Sequence, residues 1–246
     1  MKRFENKTIL ITGASSGIGL AGAKRLIEEG AHVIFTGRTE SHVQAAAAEL
    51  GDHATAVLDD VSDGNTLERI MPVVERVGAL DGVWLNAAYA AGGPLEEMDQ
   101  TTLDQIFKVN VVAPMSQMGA LSPYVKDGGS VLVTSSTAAY EGAPIVSAYA
   151  ATKAAILAAA RGWASELAPR NIRVNSLVPG PITSNLRSVL PDEMRAQFEE
   201  RLAEAVLLKR VGDAREAVAV ALFLLSDEAS YVTGSSYTVD GGLIMQ

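Results

Sequence analysis

Short apolar runs alternate along the whole chain with longer segments whose apolar residues recur at about every third or fourth position. The short runs, at 8–12, 32–36, 54–58, 81–86, 130–135, 172–177 and 236–239, predict buried strands. The longer segments predict helices over 18–29 (closed by Gly30), 41–50, 63–77, 101–121, 147–167 and 214–225. Pro72 marks an irregularity in the third helix, and Pro114 should bend the fourth. Strands that are apolar on both faces need helices on both sides. The expected fold class is therefore α/β: a doubly wound parallel sheet of the Rossmann type with about seven strands. Such sheets bind ligands beyond the carboxyl ends of their strands, so the loops after the strands are where chemistry is expected.

No linker, repeat or shift in composition divides residues 1–246, which read as a single domain. Hydrophobic residues make up 48% of the chain and charged residues 20%, enough apolar surface for a sizeable core. A formal charge of −9 argues against a nucleic-acid partner, whose phosphates need clustered Lys and Arg. The chain has no cysteine, which removes disulfides, thiolate catalysis and Cys-ligated metals. The N-terminus shows no apolar signal core. The longest uncharged stretch, 109–125, is broken by polar residues and prolines, so no membrane span is expected and the location reads as cytoplasmic. His32, His42 and His53 lack the spacing of a metal site, and no metal is expected.

Candidate chemistry begins after the first strand. The turn Gly13-Ala14-Ser15-Ser16-Gly17-Ile18-Gly19 opens directly into a helix. Its glycines let the backbone turn tightly and bring a pyrophosphate close to the helix's positive end. The second strand ends in Arg38 with no carboxylate beside it. A guanidinium there suits the 2′-phosphate of NADP, with NAD as the second choice; the plainer alternative is a solvated loop arginine. Asp59-Asp60-Val61 ends the third strand, where a carboxylate can meet an adenine amino group and Val61 can lie along the ring; a turn or helix-cap Asp is the equally open alternative.

Tyr149 and Lys153 lie four residues apart on one helical face. A nearby ammonium lowers a phenol's pKa and gives it acid–base capacity suited to carbonyl and alcohol chemistry. Taken alone, the pair is better read as a core Tyr beside a surface Lys. Ser136, just past the fifth strand, is placed to converge with Tyr149 on one oxygen. Asn110 is a poor helix former in mid-helix, readable also as an exposed helical Asn.

Taken in order, these pieces resemble the short-chain dehydrogenase/reductase family over essentially the whole chain. The resemblance adds Asn86-Ala87, Pro179-Gly180 followed by Ile182 and Thr183, and Asp240-Gly241-Gly242. It implies Tyr149 as general acid/base, Lys153 as the group that lowers its pKa and holds the nicotinamide ribose, Ser136 as the substrate-oxygen donor, and Asn110 as the anchor of a water leading to Lys153. It also implies cofactor contacts from Gly13, Ser15, Ser16, Gly17, Ile18, Gly19, Arg38, Asp60, Val61, Asn86, Ala87, Pro179, Gly180, Ile182 and Thr183. Ala88 departs from the family's usual glycine, and Leu85 from its usual first Asn.

The resemblance further implies a substrate lid over 181–209, with an apolar series that includes Leu186, Met194 and Phe198. Tyr89, Ala138, Ile145 and Val146 are candidate pocket walls. The expected reaction interconverts a ketone or aldehyde and an alcohol on a small, largely apolar molecule. The expected assembly is a homotetramer or homodimer built through the helices bearing Asn110 and Tyr149 and the last helix and strand. A catalytically silent nucleotide sensor or scaffold on the same fold is the alternative; an epimerase or dehydratase fits the compact length less well.

Overall fold

The computed structural model describes residues 2–183 and 200–245. Seven strands form one sheet: β1 (Thr8–Ile11), β2 (His32–Gly37), β3 (Ala54–Leu58), β4 (Leu80–Leu85), β5 (Val125–Thr134), β6 (Arg173–Pro179) and β7 (Ser236–Val239). Every pairing is parallel, in the order β3-β2-β1-β4-β5-β6-β7. The connections are helices α1 (Gly17–Glu28), α2 (Glu40–Leu50), α3 (Thr66–Val77), α4 (Gln100–Phe107), α5 (Ala113–Leu121), α6 (Ser147–Leu167) and α7 (Ala214–Leu225). A further helical stretch covers 200–205. This is the doubly wound α/β architecture that the alternating pattern predicts.

The pleat distributes the core between two layers. Ile9, Ile11, Val33, Phe35, Trp84 and Leu132 face one side, with Leu26 of α1, Val43 of α2 and Leu222 of α7. Leu10, Ile34, Val83, Leu85, Val131 and Val133 face the other, with Ile70 of α3, Leu121 of α5 and Ile156 of α6. Because neighbours in sequence bury opposite ways, both faces must be covered, and the strands are apolar at nearly every position. Arg173 is buried in β6, where its guanidinium donates to the carbonyls of Leu224 and Ser226 and satisfies the end of α7.

Several boundaries differ from the pattern. Strand β5 begins at Val125 rather than 130. Leu80 pairs with Val125 before the register shifts, and Gly128 takes φ +81°. Helix α3 starts at Thr66 and runs through Pro72. One turn before Pro114, where a bend is expected, the helix changes type. Lys108–Val112 is a π-helical stretch, with the Ala113 N–H bonded to the Lys108 carbonyl, and Pro114 sits in the first turn of α5, where its missing N–H costs nothing.

Strand order reverses between β1 and β4, and this switch point opens a crevice at their carboxyl ends. Gly13 follows β1 and Asn86 follows β4, so the two loops face each other across it. Among the described residues, no helix is long and apolar enough to cross a membrane.

Candidate active site

The glycine turn is built for close approach. Gly13 adopts φ +66°, and a Cβ there would lie 2.7 Å from the Ala87 Cα. A Cβ on Gly19 would lie 2.6 Å from the Gly13 carbonyl and 2.7 Å from Asn86 Nδ2. Ser16 starts α1 without a side-chain cap, and no acidic residue sits in the first turn. The helix therefore presents free N–H groups and its positive end to an anion. This cradle fits a dinucleotide's pyrophosphate. Gly13 to Gly19 would hold it, with Ser15, Ser16, Gly17 and Ile18 between.

Asn86 is tied into that cradle. Its Nδ2 donates to the Gly13 carbonyl at 3.1 Å, and its Oδ1 accepts from Thr134 Oγ1 at 3.0 Å. Thr12 Oγ1 accepts from the N–H groups of Asn86 and Ala87 at 3.0 and 3.1 Å. The side chain of Asn86 thus fixes the loops to each other, and Ala87 packs beneath Gly13. Gly37 ends β2 because a Cβ there would lie 2.5 Å from Ser15 Oγ. The next residue, Arg38, is exposed and has no ion-pair partner among the described residues.

The two aspartates after β3 separate. Asp59 is buried, pairs with Arg69 at 3.1 Å and has its carboxyl raised by burial. Asp60 is half-buried and accepts from the Ser62 N–H at 2.9 Å, a local turn that leaves its other oxygen available; Val61, also half-buried, follows it.

The acid–base cluster gathers at the end of β5. Lys153 is buried, and its Nζ donates to the Thr134 carbonyl at 3.0 Å. Ser135 Oγ donates to the Lys153 carbonyl at 2.8 Å, so α6 is fastened to the strand through both main chain and side chain. Lys153 Nζ lies 5.6 Å from the centre of the Tyr149 ring. Ser136 is within hydrogen-bonding reach of the Tyr149 hydroxyl. Its Oγ also accepts from the Ala138 N–H at 3.2 Å.

Burial dominates the electrostatics of this pair. It pushes the Lys153 ammonium down to about 8. It raises the Tyr149 phenol, and the hydrogen bond with Ser136 opposes that rise. The expectation that Lys153 lowers the pKa of Tyr149 is not met by the protein's own groups. Desolvation of the phenolate outweighs the Ser136 hydrogen bond, and the amine is itself pushed toward its neutral form.

Asn110 is buried, not an exposed helical Asn, and its side chain is fully engaged. Oδ1 accepts from the Tyr89 N–H at 2.8 Å, while Nδ2 donates to the Tyr89 carbonyl at 2.8 Å and to Thr152 Oγ1 at 3.0 Å. Thr152 Oγ1 in turn donates to the Tyr149 carbonyl at 2.7 Å. Asn110 is therefore a positioning residue that links the loop after β4 to the helix of Tyr149. The π-helical stretch turns it inward, and a regular helix leading into Pro114 would place it differently.

Pro179, Gly180, Ile182 and Thr183 leave β6 and are pinned to the start of α7. Gly180 N–H donates to Val239, Gly212 N–H to Pro181, and Thr183 N–H to Gly212 at 2.8 Å. A Cβ on Gly180 would lie 2.6 Å from that of Asp240, which relates Asp240-Gly241-Gly242 to this turn. Residues 184–199, and with them Leu186, Met194 and Phe198, lie outside the described residues. Sequence reading overlooked Thr134, Ser135 and Thr152. Their signal was faint: hydroxyl residues at the end of an apolar strand and on the inward face of a helix. No group of three or more His, Asp or Glu that could hold a metal ion occurs among the described residues.

Comparison with known proteins places this arrangement. A family model described as enoyl-(acyl carrier protein) reductase matches residues 13–244. The oxidoreductase asL5 of Sarocladium schorii is 37% identical over 99% of this chain and 98% of its own. Dehydrogenase/reductase SDR family member 4 of Sus scrofa is 36% identical over 98% of this chain and 88% of its own. The crystal structure of 3-ketoacyl-(acyl-carrier-protein) reductase from Brucella melitensis complexed with NADH superposes with a TM-score of 0.89, at 29% identity over 98% of this chain and 99% of that one.

A buried amine should cost stability. Its native pKa of about 8 lies below the ordinary 10.5, so the unfolded chain binds the proton more tightly. Below pH 8 the native state carries the full penalty, which fades as pH climbs toward 10.5. Lys153→Met should therefore raise Tm at pH 7 by about 3–8 °C. Thermal melts of the two proteins should converge between pH 8 and 10.5. A variant that melts below the wild type at pH 7 contradicts this.

Proposed function

The chain belongs to the short-chain dehydrogenase/reductase family, and from that premise we propose an NADP(H)-dependent oxidoreductase that interconverts a ketone or aldehyde and an alcohol on a small, largely apolar substrate. Action on CH–OH/C=O with NAD(P) follows from the family; the cofactor preference, the substrate class and the role of Tyr149 are our reading. What carries it is the meeting of Tyr149, Ser136 and Lys153 at the carboxyl end of β5, beside the crevice that the glycine turn faces.

When bound, the dinucleotide supplies or accepts a hydride at the nicotinamide. The protein's part is to place the substrate and move a proton. The Ser136 hydroxyl donates to the substrate oxygen. Tyr149 gives its phenolic proton to that oxygen in reduction and takes one back in oxidation. Lys153, held by the Thr134 carbonyl, places an amine beside the ring and is the group to hold the nicotinamide ribose. Asn110 keeps α6 in register with the loop after β4. Asp60, Val61, Asn86 and Ala87 flank the adenosine side, and Pro179, Gly180, Ile182 and Thr183 the nicotinamide side.

Arg38 supports NADP. It stands exposed just after Gly37, the residue that closes against Ser15, with no carboxylate on the strand end to repel a 2′-phosphate. NAD is the second choice, in keeping with the Brucella reductase's complex with NADH.

We place the protein in the cytoplasm as a single domain with a lid over 181–209, working as a homotetramer or homodimer. Phe107, Val112 and Met115 are exposed on and between α4 and α5. Ala151, Ala154 and Ala158 form an exposed small-residue row on α6, and these surfaces suit helix-to-helix association. The convergence of Ser136, Tyr149 and Lys153 favours an enzyme over a silent nucleotide sensor, which needs no placed phenol.

The test is a panel of carbonyl compounds followed by NADPH absorbance. Tyr149→Phe should lower kcat at least about 100-fold for every compound turned over. Turnover that survives the substitution contradicts the mechanism. In the same assay the wild type should favour NADPH over NADH, and Arg38→Asp should shift the kcat/KM ratio toward NADH by about tenfold or more. A wild type that prefers NADH, with a ratio unmoved by Arg38→Asp, contradicts the cofactor assignment.

A further inference from the structure

A small cavity of about 90 Å³ opens between the start of α3 and the stretch from Lys108 into α5. Val61, Leu67 and Val112 give it apolar walls, and Thr66, Lys108 and Gln117 are its polar lining. Of these six, only Val61 belongs to the proposed nucleotide contacts. Ser136, Tyr149 and Lys153 do not line it.

The fold leaves polar groups unsatisfied here. Gln117 is 2% exposed and Thr66 5%. Gln117 Nε2 and Thr66 Oγ1 are buried without a hydrogen-bond partner among the described residues. Asp59, beside Thr66, holds a third such atom: one of its oxygens pairs with Arg69 at 3.1 Å, while Oδ2 is buried and unpartnered. Buried polar groups are nearly always bonded, and a buried donor left unmade is unfavourable to folding. Leucine would fill much the same volume as Gln117 without that penalty. Polar orphans gathered around one cavity point to a ligand that bonds them.

The surroundings set the ligand's charge. Lys108 is exposed, and a Cβ on Gly64 would lie 3.9 Å from its Nζ, so the ammonium hangs beside the start of α3. It forms no ion pair among the described residues, although it acts on Asp63 from a distance. Helix α3 starts after Asn65 with no side-chain cap, so its first N–H groups lack a side-chain partner. A cation, uncapped N–H groups and an amide together favour an anion. Asp59, Asp63 and Glu68 stand near, so a doubly charged phosphate is repelled where a single carboxylate is held. The apolar walls suit a hydrocarbon chain, and by the volume that one water needs the cavity takes roughly six non-hydrogen atoms.

We propose that this cavity is a binding site for a short-chain carboxylate, separate from the catalytic cleft. The carboxylate meets Lys108, Thr66 and Gln117, whose amide turns an N–H into the cavity. The alkyl chain lies along Val61, Leu67 and Val112. The site does not depend on the reaction proposed for Tyr149.

The experiment titrates the protein calorimetrically with sodium butyrate, inorganic phosphate and 1-butanol at matched ionic strength. It uses the wild type, Gln117→Leu, Lys108→Met and Tyr149→Phe, and records Tm without ligand for each. The wild type should bind butyrate with a Kd of about 1–10 mM, and phosphate and butanol at least about tenfold more weakly. Gln117→Leu and Lys108→Met should each weaken butyrate about tenfold, and Tyr149→Phe should stay within about twofold of the wild type. Without ligand, Gln117→Leu should melt at least about 2 °C higher, because it removes an unsatisfied donor. No saturable binding of butyrate, or binding unmoved in both Gln117→Leu and Lys108→Met, overturns the site. Binding lost in Tyr149→Phe puts the butyrate in the catalytic cleft and overturns it too. Phosphate or butanol bound as tightly as butyrate overturns the carboxylate assignment. A Gln117→Leu protein that melts below the wild type shows that the amide serves the fold, and overturns the argument from the orphaned donor.

Discussion

Thr134, the last residue of β5, holds the site together. Its hydroxyl accepts from Trp84 Nε1 at 2.8 Å and donates to Asn86 at 3.0 Å, while its carbonyl accepts from Lys153 at 3.0 Å. Strand β4, the glycine turn behind Asn86 and helix α6 are thereby fixed to one point. Trp84 is fully buried, and Gly22 on α1 gives its ring the space it fills. The nucleotide cradle and the acid–base cluster are two sides of one hydrogen-bonded block, which is why a site assembled from distant parts of the chain can be rigid.

Rigidity there has a thermodynamic cost. The fold withdraws a lysine and a tyrosine from water and pushes each toward its neutral form, down for the amine and up for the phenol. A pair optimised for stability would be apolar. Ile145 repeats the theme in the loop before α6, where a strained backbone displays an unburied side chain. Both departures lie within a few residues of Tyr149, and the central strands β1, β2, β4 and β6 beneath bury nearly every side chain they own. The core supplies the stability that the site gives up.

Much of this was legible in the chain. Apolar runs located the strands, because a parallel sheet covered on both faces leaves no polar alternation to blur them. Gly13 and Gly19 announced close approaches that the structure shows against Ala87 and Asn86, while that of Gly37 to Ser15 went unread. What stayed hidden depends on partners remote in sequence. The π-helical stretch at Asn110 accompanies side-chain bonds to Tyr89 and Thr152, partners that no local pattern encodes. The early start of β5 reflects pairing with Leu80 across a register shift. The Tyr149–Lys153 spacing was readable, but the direction of the phenol's shift was not, because it depends on how deeply α6 sits against the sheet. The left-handed turn at Ile145 runs against local preference and is set by Gly92 and Gly93.

The central claim is that Tyr149 moves the substrate proton. Its most direct test is the pH dependence of a single turnover of alcohol oxidation with saturating NADP⁺. The account predicts a rate that climbs with pH as the buried phenol gives up its proton, and that loses this limb in Tyr149→Phe. A flat profile, or a limb that survives the loss of the phenol, would contradict it.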